Sequence, residues 1–420
     1  MYILGKLLYK AGLMSYWALI KFASIFHAKA QQFVQGRKEI FTKLEVEVKG
    51  NQSPIVWVHC ASLGEFEQGR PVIEQIKKQY PSYKILLTFF SPSGYEVQKN
   101  YPHADFICYL PYDSAANAQR LVEIIRPKLA FFVKYEFWYY HLKALHRKNV
   151  PVMLISAFFR ENQLFFKKNY GAFYRSLLNY FEHFFVQDEN SAHLLKQIGY
   201  DNVTVVGDTR FDQVKKIAES RKSLQLVEQF KGDKSLLVMG SSWPEDVAVV
   251  SEALKNDFQG LKIIVAPHEI AEANLQKTEQ AFSGKKMIRY SQAEGLDLAG
   301  YDMLLIDNIG LLSSIYGYAD YAFVGGGYKQ GVHNTLEPAV FGIPVFYGDQ
   351  YYTQWREADE LARQGGGLPV KNAVHFKEKM LVFFHQPLEK EKTGRKARAY
   401  VYGQKDVKDQ ILDYCSKYLN

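Results

Sequence analysis

Cysteine is scarce in this 420-residue chain: Cys60, Cys108 and Cys415 are widely spaced and odd in number. They supply neither a disulfide framework nor a zinc-binding spacing, which fits a reducing cytoplasm. Long uncharged apolar stretches are missing too. The densest apolar region, Leu4 to Phe26, is interrupted by Lys6, Lys10 and Lys21. Its longest uncharged run, Ala11 to Ile20, is too short to span a bilayer. The segment continues into basic sequence without a clear small-residue cleavage site, which argues against a cleaved signal peptide. There is no internal repeat and no low-complexity tract, so repeat arrays are excluded.

What is present is ordinary for soluble globular domains: 47% hydrophobic and 23% charged residues, in a chain long enough for two or three cores. Aromatic content is high at 15%. The formal charge of +8 suggests an anionic partner, whether nucleic acid, phosphorylated lipid or a membrane surface. Residues 1–50 carry eight Lys or Arg against three Glu. A basic, aromatic and apolar helix of this kind lies well in a membrane interface, its lysines reaching the headgroup phosphates. The alternative is a helix of the first core.

The pattern alternates strands with helices throughout, which predicts two doubly wound α/β domains. Ile55 to His59 is the first strand, followed by Cys60-Ala61-Ser62-Leu63-Gly64-Glu65 and a helix over Val72 to Gln79. Glu65 therefore lies where a strand passes into a helix. A carboxylate there can face a cleft as a general base, although position alone favours a role in stabilising the first helical turn. Leu129 to Val133 is another buried strand, and Glu136 follows it as a second carboxylate on the same edge, with Lys134 a possible ion-pair partner. Further strands are read at 84–90, 152–156, 184–186 and 203–206. The alternation restarts at 236–239 and continues at 262–266 and 303–306.

The stretch Ala319 to Asp349 carries the densest signal. An apolar strand, 321–324, ends in Gly325, Gly326 and Gly327, and His333, Asn334, Thr335, Leu336 and Glu337 follow. Three consecutive glycines let a ligand approach the backbone, and Asn334 suits the N-cap of a helix through Leu336 and Ala339. A helix N-terminus at the carboxyl edge of a parallel sheet suits phosphate or ribose. The glycines alone fit a plain βαβ crossover equally well. Ser241 and Ser242, in a second glycine turn, are further candidates, as are Gly326, Gly327 and His333.

Taken in order, HCASLGEFEQGRP, LLTFFSPSGYE, KYEFW, VVGDTRFD, IVAPHE, LIDNIGLLSSIY and FVGGGYKQGVHNTLEPAVFGIPVFYG resemble the Kdo transferases. That family moves 3-deoxy-D-manno-octulosonic acid (Kdo) from CMP-Kdo onto lipid A precursor. The resemblance covers nearly the whole chain. It implies a GT-B fold of two Rossmann-like domains facing a central cleft, with no metal and no cofactor. CMP-Kdo, the lipid A precursor and an anionic membrane surface are then the partners, with no nucleic acid. The implied place of work is the cytoplasmic face of the bacterial inner membrane, reached by peripheral or N-terminal attachment. Consistently, no Asp-x-Asp pair is present.

By the same resemblance Glu65 is the general base, and Glu136 and Arg210 stabilise the transition state. Pro267, His268, Ile309, Gly310, Leu311, Asn334, Thr335, Leu336 and Glu337 contact CMP. The expected layout is a membrane-associating helix over 1–40, an acceptor domain over 41–212, a CMP-sugar domain over 213–393 and a helix over 394–420 that braces the first domain. The chain departs from the family pattern at Arg210, where lysine is commoner, at Leu311, where an acidic residue is frequent, and at Lys134-Tyr135 before Glu136. Two other classes fit a GT-B fold: a UDP-sugar transferase or epimerase, and a non-catalytic lipid-binding protein.

Overall fold

The computed structural model describes residues 2–221, 223–255 and 258–420, and the chain divides into two compact units. One comprises Met1–Gln213 with Lys405–Asn420, the other Val214–Gln404. Met1, at the start of the expected N-terminal segment, lies outside the described residues, and every candidate site residue lies within them.

The first unit holds β1 (Ile55–Cys60), β2 (Lys84–Phe89), β3 (Phe106–Tyr109), β4 (Pro127–Val133), β5 (Val152–Ala157), β6 (His183–Val186) and β7 (Val203–Val205). They form one parallel sheet in the order β3-β2-β1-β4-β5-β6-β7. The second holds β8 (Leu236–Ser242), β9 (Lys262–Pro267), β10 (Met287–Arg289), β11 (Met303–Leu305), β12 (Tyr321–Val324), β13 (Val345–Gly348) and β14 (Gly367–Val370). Its order is β10-β11-β9-β8-β12-β13-β14, again all parallel.

Helices cover both faces of each sheet, so the inner strands are apolar on both sides and read as continuous runs. The period of two is visible in where side chains go. Ile55 and Trp57 of β1 enter one core with Ala130 and Phe132 of β4, while Val56 and Val58 enter the other with Phe131 and Val133. Three strands missed by the sequence pattern, β3, β10 and β14, are sheet edges. Each is only three or four residues long and mixes one or two buried positions with partly buried ones, too little apolar signal to stand out.

Several helix bounds also differ from expectation. The helix after β1 runs over Leu63–Gln79, beginning at Leu63 rather than Val72, because Ser62 already holds the extended N-cap conformation. Pro71 is accommodated inside it. The single helix expected over 394–420 is two, Pro387–Tyr402 and Val407–Leu419, broken at Gly403. Only the part from Lys405 onward belongs to the first unit. There Val407, Ile411, Leu412, Cys415 and Leu419 join its core, and buried Asp212 accepts the N–H groups of Val407 and Lys408. A carboxylate at those free N–H groups completes the helix start.

The expected N-terminal helix is real but is followed by two more: Tyr2–Ala23, Ala28–Gln35 and Ile40–Val48. The first has no buried residue, and it docks through aromatic side chains. The Tyr9 hydroxyl donates to Asp113 Oδ2 at 2.6 Å and accepts the Tyr139 N–H at 3.3 Å. Its outward face leaves Ile3, Leu7, Leu8, Leu19 and Phe22 largely exposed. Among the described residues no helix is long and apolar enough to cross a membrane.

Tyr9→Phe removes the donor to Asp113 and strands the Tyr139 N–H. It is expected to cost about 1–3 kcal/mol of helix docking, read as faster limited proteolysis between residues 2 and 27 with the rest of the chain unchanged.

Candidate functional site

In the first sheet the chain reverses direction of growth between β1 and β4, which lie side by side although β2 and β3 separate them in sequence. Ligands bind such sheets at the carboxyl ends of the strands flanking that switch point. Glu65 follows β1 and Glu136 follows β4, so the topology brings together two carboxylates that lie far apart in the chain.

Glu65 sits in the first turn of its helix, and its Oε2 accepts the Ala61 N–H. The carboxylate thus does hold the helix start, and its energetics go beyond that role. Burial first, and the nearby charge of Glu136 second, push its pKa up to about 7, against the Ala61 and Ser62 N–H groups and Lys134, which oppose the rise. A carboxyl poised near neutrality is a competent general base.

Glu136 is buried, and its Oε2 is already occupied. It accepts the indole N–H of Trp138 at 2.6 Å and lies 3.0 Å from His59 Nε2. The other ring nitrogen of His59, Nδ1, is 2.9 Å from Thr88 Oγ1, which in turn accepts the Trp57 indole N–H at 2.8 Å. His59 is fully buried, a polar side chain within the apolar run Ile55–Cys60. No sequence motif marks His59 or Trp138; the one signal is an isolated histidine in a buried strand.

Arg210 opens the helix Arg210–Glu219. Its Nε and a terminal nitrogen donate to Asp208 Oδ2 at 2.9 and 2.7 Å, and its own N–H donates to Oδ1 at 2.9 Å. Burial pushes the Asp208 carboxyl up, but Arg210 outweighs it and holds the group below its ordinary range. This paired geometry suits arginine's planar fork better than a lysine point charge.

The second sheet has its switch between β8 and β12. Ser241, Ser242 and Trp243 stand at the end of β8, and Gly325 to Gly327 at the end of β12. Asp246 joins them, its Oδ2 accepting the Trp243 N–H at 2.9 Å and the Gly326 N–H at 2.8 Å. Burial pushes its pKa up to about 6. Trp243 donates its indole N–H to His333 Nε2 at 2.9 Å, and the two rings are nearly coplanar. His268 stacks over both, with centroids 4.7 and 4.5 Å away. Burial, with His268 nearby, lowers the His333 pKa to about 4, so His333 is neutral near pH 7 and carries its proton on Nδ1.

Two expectations for this region change. A Cβ at Gly325 or Gly327 would strike the backbone of Ser241 or Gly348, and Gly326 has φ +90° against Gly331. The chain's own packing therefore requires these glycines. Asn334 is not the N-cap: the helix is the four-residue Leu336–Ala339, with Thr335 at the cap. A single turn sums too few peptide dipoles to act as a phosphate-binding helix end. Asn334 instead accepts the Leu336 N–H at 3.2 Å and donates to Glu337 Oε1 at 3.1 Å, fixing that carboxylate.

Of the other expected contacts, Thr335 and Leu336 are fully buried. Ile309 is 86% exposed and Gly310 has φ +97°, so this turn projects from the sheet edge. Leu311 packs partly on the core. Pro267 ends β9, and the His268 N–H donates to Ser242 O at 3.0 Å. Ser242 is itself buried, with its hydroxyl unpartnered. Among the described residues no group of three His, Cys, Asp or Glu is arranged to hold a metal ion.

Two doubly wound parallel units, each with chemistry at its switch point, define a GT-B architecture. The solved UDP-GlcNAc 2-epimerase of Neisseria meningitidis bound to UDP-GlcNAc superposes with a TM-score of 0.64, at 17% identity over 87% of this chain and 100% of that one. A family model for 3-deoxy-D-manno-octulosonic-acid transferase matches residues 35–213. The curated 3-deoxy-D-manno-octulosonic acid transferase of Aquifex aeolicus is 28% identical over 77% of this chain and 84% of its own length. That of Chlamydophila psittaci is 28% identical over 90% and 88%. Over most of its length the chain is therefore similar to the Kdo transferases.

Because folded Glu65 holds its proton more tightly than the unfolded chain does, its contribution to stability is full in acid and is lost as pH rises through about 7. Glu65→Gln stays neutral. Its melting temperature is expected to gain on the parent's as pH rises from about 5, levelling off above about 7, and a pH series of thermal melts checks this.

Proposed function

We propose that this protein transfers Kdo from CMP-Kdo to the lipid A precursor, with Glu65 as general base. The observation that carries the reading is the Glu65 carboxyl, half-buried beside Glu136 at the switch point of its sheet, with its pKa pushed up to about 7. Glu65 takes the proton of the acceptor sugar hydroxyl while that oxygen bonds to the anomeric carbon of Kdo. The bond from that carbon to the CMP phosphate breaks in the same step, so the configuration inverts.

Positive charge then gathers at the anomeric centre and negative charge on the departing phosphate. The Glu136 carboxylate, oriented by His59 and Trp138, suits the first. The Arg210 guanidinium, held by Asp208, suits the second. In the second unit, Pro267, His268, Ile309, Gly310, Leu311 and Asn334 to Glu337 contact CMP. Glu337, fixed by Asn334, accepts from ribose hydroxyls. The exposed apolar face of Tyr2–Ala23, with Lys6, Lys10 and Lys21, rests on the cytoplasmic surface of the inner membrane, where the acceptor resides.

Tetra-acylated lipid A precursor incubated with CMP-Kdo and the protein is expected to gain the mass of one Kdo or a multiple of it. No gain from folded, CMP-binding protein would refute this acceptor, and absence of CMP binding would refute the donor. Glu65→Ala is expected to lower turnover by roughly 10²–10⁴ with CMP affinity nearly unchanged, and strong residual turnover would remove Glu65 from the base role. His59→Phe is expected to lower kcat through the position of Glu136, leaving KM for CMP-Kdo unmoved.

A further inference from the structure

A cavity of about 460 Å³ lies between the helices Ala115–Ile125 and Tyr139–Arg147 of the first unit, with Lys6 of the N-terminal helix on its wall. The catalytic scheme does not use it. We infer that this cavity binds the phosphate of an anionic membrane lipid. The inference rests on the membrane contact proposed above and gives it a specific site.

Four cations line the cavity: Lys6, Lys143, Arg147 and Lys148. Among the described residues none of them pairs with a carboxylate. The one acidic side chain in the lining, Glu123, takes the Gln119 amide at 2.9 Å instead. Lys143 is held in place by donating to the Tyr139 hydroxyl at 3.3 Å, and Lys6 and Lys143 each lie 5.5 Å from the centre of the Tyr139 ring. Val122 and Ala144 supply apolar wall, which strengthens attraction for an anion that enters. An unneutralised, partly apolar, fourfold cationic cavity is complete only with a multiply charged anion.

The position of Lys6 argues that the phosphate is carried by a lipid. Lys6 leaves the same helix as Leu4, Leu7 and Leu8, whose side chains are 52%, 59% and 62% exposed. With those leucines in the acyl boundary, the ammonium group sits at headgroup depth, where a lipid phosphate lies. A free anion would have no use for them. Two lipids carry the same group here: bulk anionic phospholipid, and the phosphorylated acceptor itself.

The test uses the full chain, floated with vesicles of phosphatidylcholine alone or mixed with phosphatidic acid. Lys143→Ala/Arg147→Ala is compared with Lys285→Ala/Lys379→Ala, which removes the same charge from the second unit. The cavity variant is expected to lose roughly thirtyfold in partition onto the phosphatidic acid vesicles, with the control near the parent. That result identifies bulk phospholipid as the source. Unchanged flotation with a raised KM for the acceptor identifies the acceptor's own phosphate. If neither moves, if the control loses as much, or if inorganic phosphate alone raises the parent's melting temperature and not the variant's, the inference is overturned. Arg147→Ala alone serves if the double variant does not fold. Flotation needs no turnover, so an inactive parent would count against the transferase reading and leave this result standing.

Discussion

The charge of Glu136 beside a half-buried Glu65 is the constraint on which the first unit depends. Like charges in a desolvated place cannot both ionise cheaply, so their surroundings must divide the roles between them. Glu136 receives the Trp138 N–H and lies against His59, which is itself tied to Thr88 and Trp57. Glu65 keeps the Ala61 N–H, and its own proton affinity is raised. None of this could be arranged by local sequence, because the two carboxylates meet only when β4 is laid against β1. The parallel crossover order is therefore part of the chemistry.

The second unit solves a different problem, that of bringing three backbone segments close enough to shape a ligand site. The loop after β12 passes against Ser241 and Gly348 with no room for a Cβ, and buried Asp246 ties its Gly326 N–H to the start of the next helix. The coplanar Trp243 and His333 rings, with His268 over both, then fill the corner with flat rings. Glycine here serves internal approach of backbone to backbone, and the polar side chains around it remain to meet a ligand.

Much of the fold was legible because a strand covered on both faces must be apolar throughout, as in Val152–Ala157 and Tyr321–Val324. Edge strands such as Met287–Arg289 escape that requirement and so were not seen. The site was legible where function and local structure share a residue, as at Glu65 after β1. It was not legible where the functional arrangement is a contact across the sheet. His59 shows no motif of its own, and its meaning comes from Glu136, on the neighbouring strand's loop. Asn334 illustrates the converse error: a good capping residue in sequence, it lies one position before the cap, because the helix is only Leu336–Ala339 with Thr335 at its start.

The N-terminal helix has two faces with different obligations. Outward, Ile3, Leu4, Leu7, Leu8 and Leu19 are largely exposed. Inward, Tyr9 satisfies Asp113, which also bonds the ring Nδ1 of buried His141 at 2.6 Å, and His141 lies edge-on to Trp57. Tyr16 stacks on Phe90, and Phe90 on Trp138. Trp57 and Trp138 are the same two indoles that hold the Thr88–His59–Glu136 chain in place. A helix needed only to reach a membrane could hang from a flexible linker with no such contacts. This one is built into the support of a carboxylate at the switch point, so its exposed apolar face and the Glu136 carboxylate share one foundation.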